Sequence, residues 1–273
     1  MISIDLQKCA HCGACADECL PGVIGLKEEN PVIRHTGCME CGHCVSICPV
    51  CAISIEGYDL SELTPVSGAS GLVDANDLML FMKYQRSIRR FNRKVPGKSD
   101  IDALIEAGRY SPSGGNRQPI RYAVIENVPE IVELAMEAFR DIISIPDEGE
   151  RIRAFGGYKA YVAKWTRILK TDSVTKEDKL FYGAPVVIVL IGNRKYVIDA
   201  GIAIGRMDLF GSAKGLSACM IGFFRLASEI SPAVRQALKI QDGESVLATL
   251  AVGYSDVRYR TTKLRRKALV DYI

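Results

Sequence analysis

Nine of the ten cysteines of this 273-residue chain lie within its first 51 residues. Cys9, Cys12, Cys15 and Cys19 are spaced C-x2-C-x2-C-x3-C, and Cys38, Cys41, Cys44 and Cys48 repeat that spacing. Each ligand of the second run stands 29 residues after its counterpart, and Val23-Ile24 maps onto Ala52-Ile53 at the same offset. Such self-similarity marks an internal duplication. Three thiolates two residues apart wrap one face of an iron–sulfur cubane, while the fourth cysteine of each run is turned away and ligates the other cluster. The spacing predicts two [4Fe–4S] clusters, one held by Cys9, Cys12, Cys15 and Cys48, the other by Cys38, Cys41, Cys44 and Cys19. Zinc favours four ligands in two pairs, a pattern that two runs of four do not offer. Cys51 lies outside both runs and is expected to pack beside a cluster, and His11 and His43 occupy non-ligand positions.

Cysteine in this density also suits a disulfide framework, but in short secreted chains. Met1–Lys8 shows no basic stretch followed by an apolar one, so a signal peptide is not expected. No apolar run approaches the roughly 18 residues of a membrane span. A cytoplasmic protein without a membrane partner is the expectation. Residues 1–60 carry three Lys/Arg against eight Asp/Glu, net −5, so the rest carries +8 of the chain's overall +3. An acidic module thus precedes a basic one. The basic part has no stripe of Arg/Lys interleaved with aromatics, which argues against nucleic acid and leaves an anionic cofactor or substrate.

Beyond the cysteines, the Gly-, Ser- and acid-rich stretch Gly57–Ala75 reads as a linker, giving boundaries of 1–58, 59–77 and 78–273. Asp74 is placed to cap a helix over Asp77–Tyr84. Helices are further expected at Asp100–Gly108, Pro129–Phe139, Val197–Gly215 and Ala227–Leu238, and strands at Arg121–Glu126, Ala184–Ile191 and Ser245–Val252. The β-branched, wholly apolar character of the second strand fits burial on both faces. The fold class is α+β, a central sheet flanked by helices joined to a small cluster-binding domain. Neither a G-x-G-x-x-G after a strand nor a P-loop is present.

Three segments have the composition of sites. Arg86-Ser87-Ile88-Arg89 sets guanidinium groups around a hydroxyl, as suits a phosphate. Ser111–Pro119 (SPSGGNRQP) is a rigid polar loop whose amides could approach a planar ligand. Lys263–Lys267 holds four cations in five residues. Together with Gly183-Ala-Pro before the apolar strand, Ile221-Gly222-Phe223 and Val252-Gly253-Tyr254, these segments resemble the nitroreductase family of FMN flavoproteins, over about residues 78–273. Residues 1–58 resemble a bacterial-type 2[4Fe–4S] ferredoxin.

The resemblance implies that Arg86, Ser87 and Arg89 hold the FMN phosphate and ribityl chain, and that Asn116, with Ser113 and Gln118, lies against the isoalloxazine edge. Ile221 and Gly222 would place a backbone N–H near flavin N5, and one or two of Lys263, Arg265 and Arg266 would complete the phosphate clamp. Gln85 stands where the family often has a basic residue, and Ile120 where it often has Trp. A homodimer is implied, as is a helical cover over the flavin from the stretch between Pro146 and Phe181, which contains Tyr158, Tyr161 and Trp165. The expected function is an oxidoreductase passing electrons from an external donor, such as ferredoxin or NAD(P)H, through the clusters to FMN. A small electron-poor acceptor (nitroaromatic, quinone or activated alkene) would receive them. Reductive dehalogenation, or a non-enzymatic electron carrier or redox sensor, are the alternatives. No catalytic acid or base is identifiable.

Overall fold

The computed structural model describes residues 1–66, 68, 72–175 and 177–273. Part of the expected linker, residues 67 and 69–71, therefore lies outside the described residues. The chain divides into two compact units, Met1–Val73 with Ser113–Gln118, and Asp74–Pro112 with Pro119–Ile273.

The smaller unit contains β1 (Ile2–Ile4), α1 (Ala14–Asp17), β2 (Ile24–Lys27), β3 (Asn30–Ile33), α2 (His43–Ile47) and β4 (Ile53–Ile55). β2 and β3 form an antiparallel hairpin, and β1 pairs antiparallel with β4, setting Ile2 opposite Ile55. The duplication is visible in the backbone. α1 and α2 start after Gly13 and Gly42, both at φ 75, a left-handed conformation that glycine adopts without steric cost. The core is small: Ile2, Val23, Ile24, Val45, Ile53 and Ile55 pack with Cys15 and Cys44. The loop Ser113–Gln118, expected in the larger domain, belongs to this unit.

The larger unit comprises α3 (Ala75–Tyr84), α4 (Lys98–Arg109), β5 (Arg121–Ile125), α5 (Val128–Ser144), α6 (Glu148–Ala154) and α7 (Lys159–Thr175). These are followed by β6 (Val186–Gly192), α8 (Val197–Ala213), β7 (Ser217–Met220), α9 (Phe223–Ile230), α10 (Pro232–Ala237) and β8 (Ser245–Gly253). The strands form one antiparallel sheet in the order β5-β6-β8-β7. Every residue of β6 is buried, and its alternate side chains enter two different cores. Val187, Val189 and Ile191 join Phe139 of α5, Trp165 of α7, Phe224 of α9 and Val234 of α10. Val186, Ile188 and Leu190 join Leu104 of α4 and Ala203 and Met207 of α8. α3 is capped as expected, with Asp74 Oδ1 accepting from the N–H groups of Asn76 and Asp77 at 2.8 and 2.9 Å.

Two expectations are corrected. The single helix Ala227–Leu238 is two helices, because Pro232 cannot continue the hydrogen-bond ladder; Ser231 Oγ instead accepts from Val234 N–H and caps α10. The segment between Pro146 and Phe181 is helical, yet Trp165 is no part of a cover. It is wholly buried, with its ring 4.3 Å from Phe139 and edge-on to Phe223 at 5.2 Å. Among the described residues no helix is long and apolar enough to cross a membrane.

Trp165→Ala is expected to remove about 3–5 kcal/mol of stability, the range for deleting a large buried aromatic. Trp165→Phe should cost much less, because a ring still meets Phe139 and Phe223. Urea denaturation midpoints measure both, and equal losses for the two variants would refute the packing role.

Candidate functional site

Each half of the duplication supplies three thiols from a loop and its helix, and a fourth from the segment beyond. Cys9, Cys12, Cys15 and Cys48 line one cavity, closed by Ile4 and Ile53. Cys19, Cys38, Cys41 and Cys44 line a second, closed by Ile2, Val23 and Ile55. The fold therefore brings together the crossed quartets, not the runs as they occur in sequence. Backbone amides point at the sulfurs: His11 and Glu40 N–H donate to Cys9 and Cys38 Sγ at 3.4 and 3.3 Å. Both residues are left-handed, at φ 53 and 52. Ile24 and Ala52 N–H donate to Cys19 and Cys48 Sγ at 3.5 and 3.2 Å. Burial, together with nearby Cys41, Cys38 and Cys19, pushes the Cys44 thiol up to about 11. Cys15 is likewise raised, mainly by burial.

Thiols in this state are held as ligands only when a metal displaces their protons. A single zinc would draw four sulfurs to about 2.3 Å. Here each quartet rings a cavity, and among the described residues no His, Cys, Asp or Glu group converges as on one ion. The arrangement fits a multi-iron cluster. Cys51 is exposed, as Cys12 is, and has a left-handed backbone at φ 51.

Ser113, Asn116 and Gln118 sit in this same unit. Ser113 Oγ accepts from the Gln118 N–H at 2.9 Å. Asn116 Nδ2 donates to the carbonyls of Met39 and Glu40 at 3.3 and 2.8 Å. Gln118 Nε2 donates to the Tyr58 hydroxyl at 2.8 Å. Gly115, Asn116 and Gln118 all have left-handed backbones, at φ 60, 52 and 46.

In the larger unit the basic segments meet along the outer edge of the sheet. Ile88 N–H donates to the Ala218 carbonyl of β7 at 2.9 Å, Lys263 N–H to Lys83 O at 2.9 Å, and Asn92 N–H to Tyr254 O at 2.8 Å. Arg86 reaches Thr261 O at 3.0 Å through Nη2, and its guanidinium lies 4.5 Å from the centre of the Tyr259 ring. Its Nε is buried without a partner. Ser87 and Arg89 face Cys219, whose thiol is raised by burial and drawn back by both. Asp208, on α8, has its carboxyl raised by burial, with Gln85 and the charge of Lys263 opposing. Among the described residues Arg86, Arg89 and Lys263 have no carboxylate within 4.0 Å. Cations with no ion-paired carboxylate, one with a buried unsatisfied N–H, fit an anionic phosphate.

Arg265 and Arg266 are exposed, and Arg265 makes a local hydrogen bond to Leu264 O; Lys263 is tied through its backbone to Lys83, three residues before Arg86. The N–H of Ile221 is committed to Thr249 O at 2.9 Å, so it is Gly222, the N-cap of α9, that stands at the turn. Tyr259, Thr261 and Asp208 escaped the sequence reading, because each enters through a contact across the fold and not through a local pattern. Lys164, whose ammonium lies 4.7 Å from the Phe223 ring centre, carried a signal: Tyr161, Lys164 and Arg167 recur at three-residue spacing on one helix face. A separate cleft between α5 and Gly183–Pro185, lined by Glu133, Glu137, Arg140 and Asp178, contains none of the predicted residues.

Comparison with known proteins places this geometry in a lineage. Residues 82–254 match the model of the Nitroreductase family, and residues 1–49 match that of a 4Fe-4S dicluster domain. A 4-nitrobenzoate reductase of Pseudomonas putida is 24% identical over 205 residues, spanning 66% of this chain and 86% of that protein. Among solved structures, a nitroreductase with bound FMN from Desulfitobacterium hafniense aligns with a TM-score of 0.56 at 22% identity, covering 72% of this chain and 98% of that one. Another, from Bacteroides fragilis, aligns at 0.54 and 21%, over 72% and 100%; at this identity the two show a common fold. The chain belongs to the Nitroreductase family and carries an N-terminal 4Fe-4S dicluster domain.

Proposed function

We propose that this protein is an FMN-dependent reductase fed through two [4Fe–4S] clusters. The observation that carries the reading is the pair of crossed cysteine quartets, built into the same chain as a Nitroreductase-family fold whose Arg86, Arg89 and Lys263 have no carboxylate within 4.0 Å among the described residues. Cys9, Cys12, Cys15 and Cys48 hold one cluster, and Cys19, Cys38, Cys41 and Cys44 the other. Arg86, Ser87, Arg89 and Lys263 hold the FMN phosphate and ribityl chain, and Gly222 presents its backbone at the N5 edge. Bound FMN would supply the conversion between single electrons and the two-electron, two-proton reduction of an organic acceptor, such as nitroarene to nitrosoarene and water.

The residues have definable duties in this scheme. Amides at His11, Ile24, Glu40 and Ala52 stabilise charge on sulfur, one of the means by which a protein sets cluster potential. Arg86 is held in place by Thr261 O and Tyr259, so little side-chain freedom is lost when it binds an anion. A homodimer is supported by α8, which leaves Val197, Ile198 and Phe210 exposed, Ile198 at 75%.

Three outcomes test this reading. Cys19→Ser should disturb the cluster whose other ligands are Cys38, Cys41 and Cys44, and Cys48→Ser the cluster of Cys9, Cys12 and Cys15. Iron analysis should show a fall from about eight to about four irons per chain in each variant, with different halves of the reduced EPR spectrum lost; loss from the variant's own run would refute the crossing. Arg86→Gln should weaken FMN binding about tenfold or more, the scale of one charge-assisted hydrogen bond, and an unchanged fluorescence titration would remove Arg86 from the clamp. Stopped-flow mixing of holoprotein with reduced ferredoxin should reduce the flavin rapidly, and cysteine variants lacking clusters should lose that phase. Rapid reduction by NAD(P)H that is indifferent to loss of the clusters would sink the cluster-fed route.

A further inference from the structure

The two halves of the duplicated module form the same turn after their first cysteine, yet only one turn is gripped by another part of the unit. In the first half His11 N–H donates to Cys9 Sγ at 3.4 Å, with His11 at φ 53. In the second, Glu40 N–H donates to Cys38 Sγ at 3.3 Å, with Glu40 at φ 52. Asn116, from the loop Ser113–Gln118 of this same unit, donates through Nδ2 to Met39 O at 3.3 Å and to Glu40 O at 2.8 Å. The counterparts of those carbonyls, Ala10 O and His11 O, accept no hydrogen bond among the described residues. Because the first turn reaches the same left-handed shape unaided, the grip of Asn116 is not what shapes the second.

Met39 O and Glu40 N–H belong to one peptide group. The bonds therefore run in series, from Asn116 Nδ2–H to Met39 O and from Glu40 N–H to Cys38 Sγ. Hydrogen bonds in series polarise one another, each strengthening the next. Met39 lines the cavity ringed by Cys19, Cys38, Cys41 and Cys44, so the series ends on a ligand of that quartet. An N–H aimed at a cluster sulfur stabilises the added negative charge of the reduced state and raises the reduction potential. The loop that carries Asn116 is pinned separately: Ser113 Oγ accepts from the Gln118 N–H at 2.9 Å, and Gln118 Nε2 donates to the Tyr58 hydroxyl at 2.8 Å. Neither contact touches the series.

We propose that Asn116 is a positioning residue for the cluster of Cys19, Cys38, Cys41 and Cys44. By polarising the Met39–Glu40 peptide it raises the reduction potential of that cluster and leaves its twin unaffected. The proposal rests on the cluster reading above and adds the means by which two clusters built by duplication become unequal. The equilibrium of one electron shared between them is shifted toward the Cys38 cluster, which is reduced as the Cys9 cluster is reoxidised.

The test is an EPR-monitored redox titration of the full-length protein with both clusters in place. Asn116→Gly removes the donor and leaves a residue at ease at φ 52. The reduced-to-oxidised ratio of one cluster at fixed potential should fall about threefold, the effect of strengthening one hydrogen bond by roughly a tenth or more. That fall is a shift of about 30 mV, at about 59 mV per tenfold for one electron. The same shift should appear when Asn116→Gly is made on Cys48→Ser, which retains the Cys38 cluster, and be absent on Cys19→Ser, which retains the other. Asn116→Asp, with an acceptor in place of the donor, should lower the same potential further. Tyr58→Phe, which loosens the loop at its other anchor, should leave both potentials in place. Two unmoved potentials, two lowered alike, or a shift matched by Tyr58→Phe overturn the proposal and leave the cluster reading standing. Loss of the cluster from both Asn116 variants in an otherwise folded protein also overturns it, by making Asn116 a structural brace. Native protein that shows no [4Fe–4S] signal after reconstitution with iron and sulfide overturns both.

Discussion

Burial of β6 on both faces is the constraint from which the larger unit follows. A strand with apolar side chains above and below can persist only between two helical layers, and α4 with α8 on one side and α5, α7, α9 and α10 on the other supply them. Once β6 is central, β8 pairs beside it and β7 becomes the edge. An edge strand has unpaired backbone groups that must be covered; the Ile88 N–H covers one of them at Ala218 O. That single pairing lays the Arg86–Arg89 run along the strand that leads into the Ile221–Gly222 turn. The segments that share the proposed flavin site are 130 residues apart in sequence and adjacent because of the sheet edge.

The same edge concentrates positive charge. Arg86, Arg89, Lys164 and Lys263 come from three separate stretches of chain, and none is neutralised by a carboxylate within 4.0 Å among the described residues. Some cations elsewhere in the unit are paired, as Arg121 is with Glu244 at 2.6 Å. Unpaired charge that is partly buried, as at Arg86 and Lys263, costs folding free energy; in the proposed site the FMN phosphate would offset it. Asp208 tempers this field from behind, with its own carboxyl raised by burial.

What could be read from sequence divides along a physical line. The cysteine duplication and the β-branched strand were legible because their information is local, in fixed spacing and in uniform apolarity. The break at Pro232 was legible in principle, since proline lacks the N–H, but the apolar periodicity of 227–238 runs straight through it. Trp165 misled because an aromatic among Tyr and Lys looks like a surface cover, whereas its helix is amphipathic and the ring lies on the buried side. The fate of the Ile221 N–H depended on a strand nearly thirty residues away. Local pattern located the segments; only the sheet register decided which of their atoms remained available.

The loop Ser113–Gln118 shows how far such bookkeeping can sharpen a role. Left-handed backbone at Asn116 and Gln118 costs on the order of 1 kcal/mol or more each, and side-chain amides hold the loop in that shape. Both hydrogens of Asn116 Nδ2 are spent, on Met39 O and Glu40 O, the residues between Cys38 and Cys41. What remains to Asn116 is its carbonyl oxygen, an acceptor only. Any group that meets Asn116 from outside the loop must therefore be a donor.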